Sequence, residues 1–229
     1  VAKARSPDIG MVLCGWCGSR VRVILASQSE ARQRLLAQLL GHRRFETQPA
    51  HVDERRLQRE VLQRQSLTLP LAKRVALHLA LAKARAVWQT VAHENRARTL
   101  VIGSDQLLYV PELQLMAGKP GSFVRADRFL AKMAGRRAWL LTAVTVMAHG
   151  ARPRVSLQAV QLKFARVPVD ERRAILHADE PYGCAGAFKI EERGIGLFDA
   201  VRSDDPTGIQ GLPLMRLRRL LRASGLSYI

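Results

Sequence analysis

Asp105 is the first residue with a chemical address. It follows the apolar run at residues 99–103 (TLVIG), with Ser104 before it and Gln106 after it. In open α/β sheets ligands gather beyond the carboxyl ends of strands, so a carboxylate there can orient a water or hold a divalent cation. The plainer alternative is a loop carboxylate that caps a helix. Arg32, Lys83 and Lys119 form a second set. Phosphoryl chemistry shifts charge onto non-bridging oxygens, which arginine meets as a two-pronged fork and lysine as a point charge. Each alone is also an ordinary surface residue; Lys119 is the most constrained, because Gly118 and Pro120 hold its backbone in a turn. Lys189 and Glu191 follow the small-residue run Gly186-Ala187-Phe188, as ligand contacts or as a surface ion pair. Asp53 and Glu54 offer further carboxylates for a metal, and Asp204-Asp205 is an equally ambiguous acidic pair. The six histidines are dispersed, and no Walker A, GxGxxG, GxSxG, HExxH or EF-hand pattern occurs.

These groups need elements to carry them. Residues 21–26 (VRVILA) read as a buried strand, residues 27–29 as a serine loop, and residues 30–40 as a helix with Ser29 as its N-cap. Such a junction turns hydroxyls, free backbone N–H groups and a helix N-terminus toward one point, a good anion site. Residues 45–53 read as a short strand and loop, and residues 55–65 as a helix. Pro70 can begin a helix over 71–88, with Leu71, Val75, Leu79, Ala82 and Ala86 as its buried stripe and Lys83 beside it. The spacing predicts a helix over 122–133, a strand pair at 138–148 and 155–164, and helices over 170–178 and 212–221. Strands alternating with helices point to an α/β fold.

The chain has 229 residues, enough for one α/β domain or two lobes about a cleft, and 48% of them are hydrophobic, which excludes a disordered chain. Its net charge of +18 draws polyanions without saying which. Cys14 and Cys17 form a CxxC with no second pair at zinc-site spacing, and the odd total of three cysteines fits a reducing compartment. No 18-residue apolar run exists and residues 1–20 hold no secretory core, so a cytoplasmic protein without a membrane span is the default expectation. Residues 1–20 read as a disordered extension or a misassigned start, with Met11 as the alternative first residue, residues 21–225 as the domain and 226–229 as a tail.

Taken in order, these segments resemble the Maf-like family of nucleotide pyrophosphatases. The resemblance runs over residues 21–225: ILASQSEARQRLL from Ile24, Val52-Asp53-Glu54, the lysine helix around Lys83, VIGSDQ from Val101, Gly118-Lys119-Pro120, CAGAFKIE from Cys184 with Gly194, Asp205-Pro206 and Gly211-Leu212-Pro213. It implies an elongated mixed sheet flanked by helices, with two lobes about a central cleft. It implies that Asp105 activates water, that Ser27, Ser29, Arg32, Lys83 and Lys119 bind the triphosphate, and that Glu54 and Asp105, with Asp53 as a further ligand, hold Mg²⁺ or Mn²⁺. Ala31, Gln106, Lys189 and Glu191 would read the base. The family often dimerises, so a homodimer is implied.

Cys-Ala-Gly before Ala-Phe-Lys, and Gln106 after Asp105, resemble the branch that acts on 7-methyl-GTP; another branch acts on dTTP and UTP. The chain departs from the family's Ser-Pro-aromatic-Arg-Arg loop, having Ser29, Glu30, Ala31, Arg32 and Gln33 there. His51, Ala143, Ile190 and Glu192-Arg193 also replace usual family residues. The pattern implies a retained hydrolytic core with an altered base pocket. A rival expectation is a basic nucleic-acid-binding or regulatory protein that has lost catalysis, though no helix-turn-helix, RRM or zinc-finger pattern supports it.

Overall fold

A twelve-residue strand with no solvent-facing rhythm has to be covered on both faces, and the chain is built around one. The computed structural model describes residues 11–13, 20–41, 44–63 and 65–226; Cys14 and Cys17 lie outside them. In chain order the elements are β1 (Met11–Leu13), β2 (Arg20–Leu25), α1 (Glu30–Leu40), β3 (Glu46–Thr47), α2 (Glu54–Leu62), α3 (Leu69–Thr90), β4 (Thr99–Val110), β5 (Leu115–Ala117), α4 (Phe123–Met133), β6 (Arg137–Ala148), β7 (Arg154–Phe164), α5 (Val169–Asp179), β8 (Phe198–Arg202) and α6 (Leu214–Ala223). The strands form one mixed sheet in the order β1-β2-β4-β6-β7-β8, with β3 on β2 and β5 on β4. β2 runs parallel to β3 and β4; the remaining pairs are antiparallel. This is the expected α/β fold with helices on both faces of a mixed sheet. No helix among the described residues is long and apolar enough to cross a membrane.

One face is covered by α3. Thr68 caps it, accepting from the Leu71 N–H at 3.4 Å, and Pro70 sits in its first turn, where a missing N–H costs nothing. Ala72, Ala76, Ala80 and Ala84 recur every four residues and are all fully buried, so a ridge of methyl groups lies flat on the sheet. Gly103 of β4 completes the fit: a Cβ there would stand 2.3 Å from the Ala80 carbonyl oxygen. Leu71, Val75 and Leu79 are buried as expected, but Ala82 and Ala86 are half-exposed; over a helix this long the buried stripe drifts onto Ala80, Ala84 and Val87.

The other face holds two apolar clusters. α1 and α6 pack on β2 and one half of β4 and β6 through Leu36, Ile102, Val146, Leu217 and Leu221. α4 and α5 pack on the other half through Leu108, Leu130, Leu140, Phe164 and Leu176. A polar row separates them, since Gln106, Thr142 and Gln158 stand side by side across β4, β6 and β7. The segment between β8 and α6 lies over this row.

The expected extension is partly a strand. β1 pairs with residues 20–22 of β2, so Met11–Leu13 of that segment form a strand. The outer edge of β2 offers unpaired backbone groups there, and three residues suffice to satisfy them.

A carboxylate at an open strand edge

Asp105 was expected after a strand over residues 99–103, with residues 107–110 as its alternative continuation; the continuation holds, and Asp105 lies inside one strand, Thr99–Val110. β6 hydrogen-bonds to β4 without interruption from Leu100 to Tyr109, so nothing ends β4 at Gly103. The strand that ends is its neighbour. β2 pairs with β4 only as far as Leu25 opposite Ile102, with the Ala26 N–H still reaching the Ile102 carbonyl at 2.8 Å. β5 takes up the same edge at Leu108. Residues 103–107 therefore face a gap between a parallel and an antiparallel partner. The carboxyl end of β2 and the loop before α1 open onto it, so the strand-end rule holds for β2 rather than for β4.

The pleat turns Asp105 to the α3 face, alongside Gly103. Lys83 stands opposite on α3, one residue before Ala84 of the methyl ridge. Its Nζ lies 2.5 Å from Asp105 Oδ1 and 2.7 Å from Glu54 Oε1. Glu54 arrives there because it is the first residue of α2. Asp105 is 5% exposed. Burial pushes its carboxyl above the ordinary range, while Lys83 and Arg32 pull it back. Its Oδ2 has no protein hydrogen bond among the described residues.

Arg32 comes from the first turn of α1. Its Nε–H donates to the Gly211 carbonyl at 3.0 Å and an Nη1–H to Ser27 Oγ at 3.3 Å. Ser29 caps α1 as expected, accepting from the Arg32 N–H at 3.5 Å, while its own N–H donates to Ser27 Oγ. Burial lowers the Arg32 pKa, against the pull of Asp105, Glu54 and Cys184. A guanidinium short of hydration gains when an anion is set beside it.

The far wall of the gap is the turn after β5. The Gly186 N–H donates to the Gly118 carbonyl at 3.2 Å, which seats Lys119 against the segment from Cys184. Cys184 marks the meeting point. Burial raises its thiol pKa; Lys189, Lys119 and Arg32 lower it, and Glu191 raises it further. Glu191 accepts from Arg34 Nη2 at 3.4 Å, across from α1. Arg32, Lys83, Glu54 and Asp105 thus collect around one strand edge, and Cys184 links Arg32 in turn to Lys119, Lys189 and Glu191.

The profile of the Maf-like protein family matches residues 22–224. The chain belongs to the Maf-like protein family. Among its relatives, a 7-methyl-GTP pyrophosphatase from Polaromonas sp. is 37% identical over 206 residues, covering 90% of this chain and 85% of that one. A 7-methyl-GTP pyrophosphatase from Burkholderia thailandensis is 39% identical over 205 residues, covering 89% and 88%. A nucleoside-triphosphatase, dITP/XTP pyrophosphatase, from Mycobacterium abscessus aligns in structure with a TM-score of 0.46 at 13% identity, over 89% of this chain and 94% of that one.

Two expected site residues of this Maf-like protein make structural contacts of their own. Gln106 was expected to read a base, but the pleat turns it to the face opposite Asp105. Its Nε2 hydrogens are shared among Thr142 Oγ1 at 2.9 Å and the Gly208 and Ile209 carbonyls at 3.0 Å each. Asp53 was expected as a further metal ligand; its Oδ1 caps α2, accepting from the Arg56 N–H at 2.9 Å. Ala31 lies half-exposed beside Arg32 in the first turn of α1 and presents only a methyl group. Cys184 and Arg34 were not singled out as site residues, yet both border the gap. Their signal was position, beside Lys189 and Arg32, and position in sequence carries no direction in space.

Proposed function

We propose that this Maf-like protein hydrolyses the α–β phosphoanhydride of 7-methyl-GTP, giving 7-methyl-GMP and diphosphate. Its class is that of a hydrolase acting on nucleotide phosphoanhydride bonds; the choice of base is the finer part. The observation that carries the reading is the Asp105 carboxylate, buried at an open strand edge with the Lys83 ammonium in contact and the Arg32 guanidinium beside it. The names of the relatives at 37–39% identity support 7-methyl-GTP.

In this reading Arg32, Lys83 and Lys119 hold the triphosphate, with Ser27 and Ser29 shaping the mouth of α1. Asp105 Oδ2, the oxygen Lys83 does not occupy, accepts a proton from water as that water's oxygen bonds to phosphorus. The bridging P–O bond breaks and diphosphate leaves with the electron pair. A raised carboxyl pKa makes Asp105 a stronger base than a solvated aspartate. Lys189 and Glu191 border the base, and Ala31 leaves open the place where the family carries an aromatic ring.

Glu54 and Asp105 present hard carboxylate oxygens converging on one point, which the Lys83 ammonium holds here. That donor chemistry fits Mg²⁺ or Mn²⁺, and these two residues would hold it. When bound, such an ion neutralises developing charge on the phosphate oxygens.

The test is diphosphate release from 7-methyl-GTP, GTP, dTTP, UTP and CTP with Mg²⁺ or Mn²⁺, for the wild type and Asp105→Asn. The expected result is preferred turnover of 7-methyl-GTP, reduced about 10²–10⁴-fold in the variant. Preference for dTTP or UTP would keep the chemistry and move the substrate. No release from any of the five would sink the enzymatic reading.

A further inference from the structure

Arg32 does not hold its direction unaided. Nε and Nη1 are tied to Gly211 and Ser27, and Nη2 has no protein partner among the described residues. The Gly211 carbonyl is therefore the point against which the guanidinium is aimed. That carbonyl is itself held. Ser104 Oγ, fully buried on β4, shares its one hydrogen between this carbonyl and that of Ala143, each at 2.9 Å. Gly211 has φ +109°, in the left-handed region, and a Cβ there would meet Arg32 Nε at 3.4 Å. Its N–H donates to the Gly208 carbonyl, which also accepts from Thr142 Oγ1 at 2.8 Å.

Upstream, the acidic pair Asp204-Asp205 has found no part in the chemistry, and Asp205 is 2% exposed. Its Oδ1 accepts from the Thr207 N–H at 3.1 Å and from Thr207 Oγ1 at 2.5 Å, and its Oδ2 accepts from the Met215 N–H at 2.8 Å. The Leu214 N–H donates to Thr207 Oγ1 at 2.9 Å. One carboxylate thus closes the turn and fastens it to the otherwise unpaired N–H groups that begin α6. Gln158 Nε2 holds the Asp205 carbonyl from the sheet side at 2.6 Å. Gly208 packs so closely on Gln158 that a Cβ would stand 1.5 Å from its Oε1.

We propose that Asp205, Gln158 and Ser104 are positioning residues for Arg32: they lock the 205–211 turn to β4, β7 and α6, and through the Gly211 carbonyl they aim the guanidinium into the β4 gap. The inference rests on reading Arg32 as a ligand of the phosphates. Buried polar groups that satisfy one another define a single arrangement, and an error near 1 Å at a phosphate ligand costs about 10²-fold in rate.

Double-mutant cycles test this. Asp205→Ala, Gln158→Met and Ser104→Ala are each made alone and together with Arg32→Ala. The readouts are kcat/KM on the triphosphate turned over fastest, the Kd for inorganic diphosphate, and Tm. Each single variant is expected to lose about 10-fold or more in kcat/KM, and less than about 2-fold once Arg32 is absent. Asp205→Asn, which keeps an acceptor oxygen, should recover part of the Asp205→Ala loss. Losses that multiply equally in both backgrounds would mean a general structural role and overturn the proposal. Should Asp205→Ala not fold, Gln158→Met and Ser104→Ala, which nearly keep side-chain volume, decide it. If Arg32→Ala alone leaves both kcat/KM and diphosphate affinity unchanged, the phosphate-ligand reading has failed and takes the proposal with it. A damaged Arg32→Ala with multiplicative losses overturns the positioning alone.

Discussion

Asp105, Lys83 and Glu54 share a conflict that sets how the site responds to pH. Burial holds a proton on Asp105 above the ordinary carboxylate range, and the Lys83 ammonium, 2.5 Å away, works to remove it. If the ionised form accepts the proton from water, kcat/KM should fall on the acid side with a midpoint above that of a solvated aspartate. Lys83→Met removes the nearest cation, so its acid limb should move to higher pH, whatever the loss in rate. An unmoved limb would show that another group titrates. Stability follows the same shift with a definite sign. A carboxylate raised in the fold stabilises most when protonated; that contribution is complete below its unfolded pKa and lost as pH rises through the folded one. Asp105→Asn never ionises, so melting curves across pH should show it gaining on the wild type as pH rises.

At the scale of elements, the approach of α3 to β4 decides whether those residues meet. The ridge Ala72, Ala76, Ala80 and Ala84 lets the helix lie close, and Gly103 receives it. Lys83 stands between two of these alanines in sequence, and Asp105 two residues beyond the glycine. A methyl group at residue 103 would press on helix backbone rather than on a movable side chain. Gly103→Ala is therefore expected to cost about 1–3 kcal/mol in denaturant unfolding and to reduce kcat with it. Full activity in a stable Gly103→Ala protein would mean that the Lys83–Asp105 distance is not set by this contact. The same scale explains Gln106. It is adjacent to Asp105 in sequence and on the opposite face in space, where it braces the 206–210 segment instead of meeting a base.

At the scale of the molecule, the net charge of +18 favours the approach of the polyanion that the proposed reaction requires. Long-range attraction should raise the encounter rate with a triphosphate and should be screened as the Debye length shrinks from about 10 Å at 0.1 M salt to about 3 Å at 1 M. The expectation is a kcat/KM that falls steadily with NaCl while kcat changes little. A flat response would separate the basic surface from catalysis. The sheet also divides the molecule: the Gln106-Thr142-Gln158 row separates two apolar clusters on one face, and the turn that holds Arg32 is seated along that boundary.

What the sequence determined by itself was local and periodic. Apolar runs marked β2, β4, β6 and β7; Ser29 announced the start of α1 and Pro70 the first turn of α3; Arg32, Lys83, Asp105 and Lys119 stood out by type and by their neighbours. Tertiary structure decided which of them share a site. Whether β4 stops at Gly103 depends on β6, almost forty residues away in sequence, continuing to pair with it. That Asp105 faces an opening depends on β2 ending beside it, and that Gln106 does not depends on the pleat. Asp53 and Glu54 are adjacent acids until α2 forms, when one becomes its cap and the other its first residue, pointing to Lys83. The role of Asp205 was legible only once α6, β7 and the turn met, because a carboxylate's partners are fixed by what folding brings within 3 Å of it.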